Sequence, residues 1–205
     1  MAAGERWILL GDSIHAAVYE SPGPVRVPGT NLTAVNLAKN TGAVIQNLSW
    51  AGARAADGND PNMGWVSNFS TILRVSGPSP ATGLIITLGT NDWASPAVSG
   101  AEFLASYRGL VRASLAKGLK VVGVTPLWRA DGAAGVTKSD GIWNIVEWGG
   151  FIANICSLEG AKFIRGYHAP LTPTHFADGL HLNESGHLAL EPYLREKMQE
   201  HGYML

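Results

Sequence analysis

At 205 residues, with a hydrophobic share of 46% and a charged share of 15%, the chain is long enough to bury a full core and is read as one domain over 1–205. A net charge of −1 gives no electrostatic basis for nucleic acid or an anionic membrane as a partner, and no stretch approaches the length of a membrane span. The single cysteine, Cys156, excludes an intramolecular disulfide and lies in an apolar periodic segment, where a core thiol is expected. Met1 to Arg6 lead straight into an apolar segment, with no long leader-like run before it. A cytoplasmic location is therefore expected if the chain is complete, and a secreted one if a leader has been removed.

Taken in order, the first predicted element is a strand over Trp7–Leu10, ended by Gly11 and by the turn chemistry of Asp12-Ser13. A short helix is expected over Asn31–Lys39, closed near Gly42, and then a strand over Val44–Leu48. A helix over Trp65–Val75 stops at Gly77-Pro78, and a strand follows at Leu84–Leu88. The plainest helix runs from about Gly100 to Lys117: Ser99 and Glu102 suggest a capping box, and Phe103, Tyr107, Leu110, Val111 and Leu115 form one stripe. Beyond a strand at Val121–Val124, the spacing predicts a helix over Ile142–Leu158, weakened or bent at Gly149-Gly150, and a strand at Lys162–Ile164. A last helix is capped by Asn183 and runs through Met198, with a kink expected at Pro192. Strands alternating with helices predict an α/β fold with a parallel sheet of five strands covered on both faces. Ser21–Gly29 and Ala130–Gly141, rich in Pro and Gly, are read as long surface loops.

The informative residues follow the strands. Ser13 comes after the first, Asn47-Leu48-Ser49-Trp50-Ala51-Gly52 after the second, Gly89-Thr90-Asn91-Asp92 after the third, and Asp178-Gly179-Leu180-His181 beyond the fifth. In a parallel sheet these points share one edge. A serine hydroxyl needs a base, which His181 can supply near neutral pH. Asp178, three residues earlier, is placed to orient that imidazole and stabilise its charged form. An oxyanion needs preset donors, and the backbone N–H groups of Ser13 and Gly52 with the Asn91 side-chain amide can supply three.

On these residues the chain resembles the SGNH hydrolases, the GDSL family of esterases and lipases. Ser13 in Gly-Asp-Ser, Gly52, Asn91 in Gly-Thr-Asn-Asp and His181 in Asp-x-x-His stand in the family's order. Ile14 replaces the usual leucine after the serine. The resemblance implies a three-layer α/β/α sandwich of flavodoxin-like type. It also implies carboxylic ester hydrolysis through an acyl-enzyme, with catalytic residues Ser13, Asp178 and His181, an oxyanion hole of Ser13, Gly52 and Asn91, and no cofactor and no metal.

Other residues carry weaker expectations. Trp93 and Trp128 are candidates for a substrate-binding rim, because aromatic faces suit sugar rings; His15 is a further pocket candidate, against a packed or solvated alternative. Asp12 is assigned to the turn and Asp92 to bracing its loop. Arg54 is expected to be a solvated arginine rather than an anion site, and His168 and His175 loop residues rather than zinc ligands. The expected substrate is a small-molecule or glycan ester, in particular a short acyl group on a carbohydrate. The alternatives are a lipid-directed esterase, lysophospholipase or thioesterase, and a non-catalytic carbohydrate-binding module on the same fold. Oligomeric state is not legible in the sequence.

Overall fold

A computed structural model describes residues 5–16, 18–20, 24–26, 32–59, 81–130 and 143–203. The expected helix at Trp65–Val75 and most of the loop Ala130–Gly141 lie outside these residues. In chain order the first half contains β1 (Arg6–Leu10), α1 (Ser13–Ala16), β2 (Val18–Glu20), β3 (Pro24–Arg26), α2 (Thr33–Thr41) and β4 (Val44–Asn47). The second half contains β5 (Gly83–Ile86), α3 (Thr90–Ala94), α4 (Gly100–Ala116), β6 (Lys120–Val124), α5 (Ile145–Glu159), β7 (Lys162–Ile164) and α6 (Glu184–Glu200). All five expected strands are present and form one parallel sheet in the order β4-β1-β5-β6-β7. The chain leaves β1 for β4 on one side and returns to β5 on the other. This reversal opens a crevice at the carboxyl ends of β1 and β5.

The period of two along β1 divides the core. Ile8 and Leu10 join Phe103, Tyr107 and Trp148 of α4 and α5, whereas Trp7 and Leu9 join Leu37, Leu190 and Leu194 of α2 and α6. Helices therefore cover both sheet faces in three layers, and strands apolar on both sides are what such burial requires. Each of these large side chains contributes about 1.5–3 kcal/mol through removal from water. Phe103 and Trp148 stack at 4.6 Å between ring centroids, which locks α4 to α5.

Several elements depart from expectation. β2 and β3 pair as an antiparallel hairpin within the stretch read as a loop; three-residue strands are too short to show a period. Helix α5 begins at Ile145, where Asn144 Oδ1 accepts from the Glu147 N–H at 2.9 Å and the Glu147 carboxylate accepts from the Asn144 N–H at 3.0 Å. That reciprocal cap outweighs the apolar residues upstream, and the helix then runs unbroken through Gly149-Gly150. At α4 the Ser99 hydroxyl accepts from Glu102 N–H at 3.1 Å, as its cap should. Helix α6 is capped by Asn183 and remains one helix with Pro192 inside it.

Candidate active site

The strand ends bring three segments and one loop together. Gly11 leaves β1 and admits no side chain: a Cβ there would lie 2.1 Å from Thr87 Oγ1 and 2.9 Å from Ser49 Oγ. Its carbonyl accepts from the Trp50 N–H at 3.2 Å, so the chain after β4 follows the serine turn closely. Asp12 Oδ1 then accepts from Ile14 N–H at 3.0 Å, the turn role expected of it. Ser13 is the first residue of α1, so its N–H has no partner within the helix.

Ser13 Oγ lies 2.9 Å from His181 Nε2, and His181 Nδ1 lies 2.7 Å from Asp178 Oδ2. The second Asp178 oxygen accepts from the N–H groups of Leu180 at 3.0 Å and His181 at 2.8 Å. Desolvation works to raise the Asp178 pKa, but these backbone bonds and the His181 side chain outweigh it, and the carboxyl is held below its ordinary value. An ionised Asp178 bonded to Nδ1 leaves Nε2 facing the serine as an acceptor. The turn is closed by the Ala177 N–H donating to the His181 carbonyl at 2.8 Å and by pairing of Phe176 with Leu182.

Asn91 sits in the first turn of α3, a helical turn in a stretch that reads as a loop. Its side-chain amide donates to the Ala53 carbonyl at 3.1 Å, which ties it beside Gly52 and leaves one amide hydrogen for another acceptor. Gly52 is exposed and has φ +76°, a left-handed conformation that favours glycine. Asp92 braces this loop as expected, accepting from Ala55 N–H at 2.9 Å and Ala56 N–H at 2.8 Å. Burial pushes the Asp92 carboxyl up to about 6 against those bonds. It pushes Asp12 up to about 7, with the Ile14 N–H pulling down and Asp92 adding to the rise.

The three substrate-binding candidates fare differently. Trp93 corrects the expectation of an open rim. Only 6% of it is exposed, its indole N–H donates to the Trp143 carbonyl at 3.1 Å, and the Arg129 guanidinium lies 5.5 Å over its ring. Its hydrophobic area is spent in the core on the α4/α5 face. His15 is likewise packed rather than open. It is buried, and burial together with the neighbouring His187 pushes its pKa down to about 3. Trp128 is half-buried, 5.6 Å from Phe176 edge-on, and its segment is joined to the histidine loop by Ala130 N–H donating to the Gly179 carbonyl at 2.8 Å. Arg54 is ion-paired rather than simply solvated, with Asp57 at 2.6 Å and the Ser95 hydroxyl at 3.2 Å. His168 and His175 both lie in short turns after β7, where the Thr172 N–H donates to His175 Nδ1. Among the described residues no three His, Cys, Asp or Glu side chains converge as a metal cluster would.

Two features escaped the sequence reading. Asn47, at the end of β4, bonds both the serine helix and the Gly52 loop; its amide at a strand end is a turn signal but names no partner. A cavity of about 230 Å³, lined by residues including Thr125, Gly149, Arg165 and His168, opens beyond β6 and β7 and touches neither Ser13 nor His181. Among the described residues no helix is long and apolar enough to cross a membrane.

The model of the GDSL-like Lipase/Acylhydrolase family matches residues 9–189. Among curated proteins no match is found. Among solved structures, an aryl esterase of M. smegmatis superposes with TM-score 0.76 at 19% identity, covering 96% of this chain and 99% of that one. Est24, a carbohydrate acetylesterase from Sinorhizobium meliloti, gives 0.76 at 21%, covering 96% and 99%. Axe2, an acetylxylan esterase from Geobacillus stearothermophilus, gives 0.70 at 18%, covering 96% and 94%. At these identities the structural likeness shows the shared α/β fold.

Proposed function

The chain belongs to the GDSL-like lipase/acylhydrolase family and is a carboxylic ester hydrolase, and on that premise we propose that Ser13, His181 and Asp178 carry the reaction, on short acyl esters of carbohydrates. The observation that supports the catalytic reading most is the unbroken hydrogen-bonded chain from Ser13 Oγ through both imidazole nitrogens to Asp178. Ser13 Oγ attacks the ester carbonyl carbon while its proton passes to His181 Nε2. The carbonyl π electrons move onto oxygen. The N–H groups of Ser13 and Gly52 and the free amide hydrogen of Asn91 receive that charge. Collapse breaks the bond to the alcohol, which takes the proton from His181. Water then attacks the acyl-enzyme with His181 as base, and the acid leaves as the Ser13 hydroxyl re-forms. Asp178 holds the imidazole and stabilises its charged form throughout. No step calls on a metal or cofactor.

Two lines support the carbohydrate reading. Est24 and Axe2 are named for carbohydrate acetyl ester hydrolysis, and half-buried Trp128 stands beside the histidine loop, where an aromatic face suits a sugar ring. The test is a rate profile over p-nitrophenyl esters of increasing acyl length, with acetate release from acetylated xylan measured in parallel. Acetyl esters should be fastest, acetate should be released, and Ser13→Ala should abolish both. Rates that climb with chain length and no glycan deacetylation would overturn the carbohydrate assignment in favour of a lipid-directed esterase. Turnover surviving Ser13→Ala would remove Ser13 as nucleophile.

A further inference from the structure

The Asn47 side chain joins the serine helix to the Gly52 loop through both of its polar ends. Its amide N–H donates to the His15 carbonyl at 2.8 Å, and its Oδ1 accepts from the Ser49 N–H at 3.1 Å. Helix α1 has only four residues, so the His15 carbonyl lies among the last four carbonyls of the helix and has no acceptor role within it. Asn47 meets that need from β4. Ser49 stands three residues before Gly52, and between them the Trp50 N–H returns to the Gly11 carbonyl. The far side of the loop is held by Asn91 on Ala53 and by Asp92 on Ala55 and Ala56. Gly52, exposed and left-handed, is therefore suspended between two sets of anchors, and Asn47 belongs to the near set together with the Trp50–Gly11 backbone bond.

We propose that Asn47 is a positioning residue that holds the Gly52 N–H in register with the nucleophile turn, so that two backbone donors reach one oxyanion. It touches no reacting atom and acts through the backbone at His15 and Ser49. The proposal rests on the catalytic reading above. It goes beyond that reading by giving the separation between the serine turn and the oxyanion loop a side-chain cause. A rigid separation matters because the donors serve charge that exists only in the transition state, and misplacement by about 1 Å can cost about 10²-fold.

The experiment compares wild type with Asn47→Ala, which removes both bonds, and Asn47→Asp, which keeps the acceptor for Ser49 but sets an oxygen against the His15 carbonyl. Each is assayed with p-nitrophenyl acetate, with kcat taken per Ser13 titratable by a fluorophosphonate, alongside KM and thermal midpoint. Both variants should lose roughly 10- to 100-fold in kcat with KM within about twofold, and fluorophosphonate labelling of Ser13 should slow in step. A lower midpoint with kcat per titrated site unchanged would overturn the proposal and leave Asn47 a brace for an edge strand. So would failure of both variants to fold, which marks a purely structural residue. If wild type itself neither labels at Ser13 nor loses turnover in Ser13→Ala, the catalytic reading falls and this proposal with it. A labelled, Ser13-dependent wild type beside fully active Asn47 variants would overturn the proposal alone.

Discussion

Asn91 separates this mechanism from a bare serine–histidine pair. One amide hydrogen is committed to the Ala53 carbonyl, which holds the rotamer and aims the other. Asn91→Ala should lower kcat by roughly 10²–10³-fold, the typical cost of one oxyanion donor, with little change in KM. A stable variant with normal kcat would remove Asn91 from the oxyanion hole, so kcat, KM and thermal stability belong on the same preparation. In the proposed mechanism Ser13 and His181 share one proton transfer, along the hydrogen bond of 2.9 Å between them. Ser13→Ala and His181→Ala should therefore each cost several orders of magnitude, and the double variant little more than either single one. Losses that multiply in the double variant would mean two independent roles.

Helix α3 and the loop after β4 form a coupled pair. Asp92, fully buried, receives two backbone N–H groups of that loop, from Ala55 and Ala56. Asp92→Asn replaces one acceptor oxygen by a donor, leaving a buried N–H without a partner. The expected cost is about 1–3 kcal/mol of folding stability, read by chemical denaturation. Because the same loop carries Gly52, kcat should fall as well. A variant that loses stability but keeps full kcat would show that the loop's far end does not govern the site. The short helices explain why such ties are needed. Neither α1, with four residues, nor α3, with five, is long enough to be stable alone. Their positions come from what they are bonded to.

Four buried ionisable groups near the site oppose one another in their effect on folding. In the fold Asp12 and Asp92 are pushed up to about 7 and about 6 from 3.8, while His15 and His187 are pushed down to about 3 and about 4 from 6.5. Between about pH 4.5 and 5.5 the folded chain largely keeps the protons on these two carboxyls and leaves these two imidazoles neutral. The unfolded chain keeps two on the imidazoles and none on the carboxyls. The depressed histidines lose stability as pH falls below 6.5, and the raised carboxyls lose it as pH rises above 3.8. In that window the two slopes cancel. Asp12→Asn preserves the acceptor for the Ile14 N–H but removes one carboxyl from the balance. Relative to wild type, its unfolding free energy should fall by about 1.4 kcal/mol for each pH unit of acidification across the window. Urea denaturation of both proteins at several pH values reads this difference directly. Parallel curves would mean that Asp12 is already ionised in the fold.

Local chemistry was enough to reveal the parallel strands and the serine, aspartate and histidine at their ends. Apolar runs such as Ile85-Ile86 and punctuation such as Gly11-Asp12-Ser13 act over a few residues. The Asn183 cap and the apolar stripe of α4 were legible for the same reason. Contacts between segments distant in sequence were not. The indole of Trp93 reads as an aromatic after a strand, yet the α4/α5 layer buries it, because a large apolar side chain gains more from the core than from a wet rim. Asn47 reads as ordinary turn chemistry, and only the adjacency of β4 to β1 puts the His15 carbonyl within its reach. Ser13 and His181 are 168 residues apart. The sequence supplies a serine and a histidine, and the strand order brings them to 2.9 Å, because a hydrogen bond needs a distance that no spacing along the chain encodes.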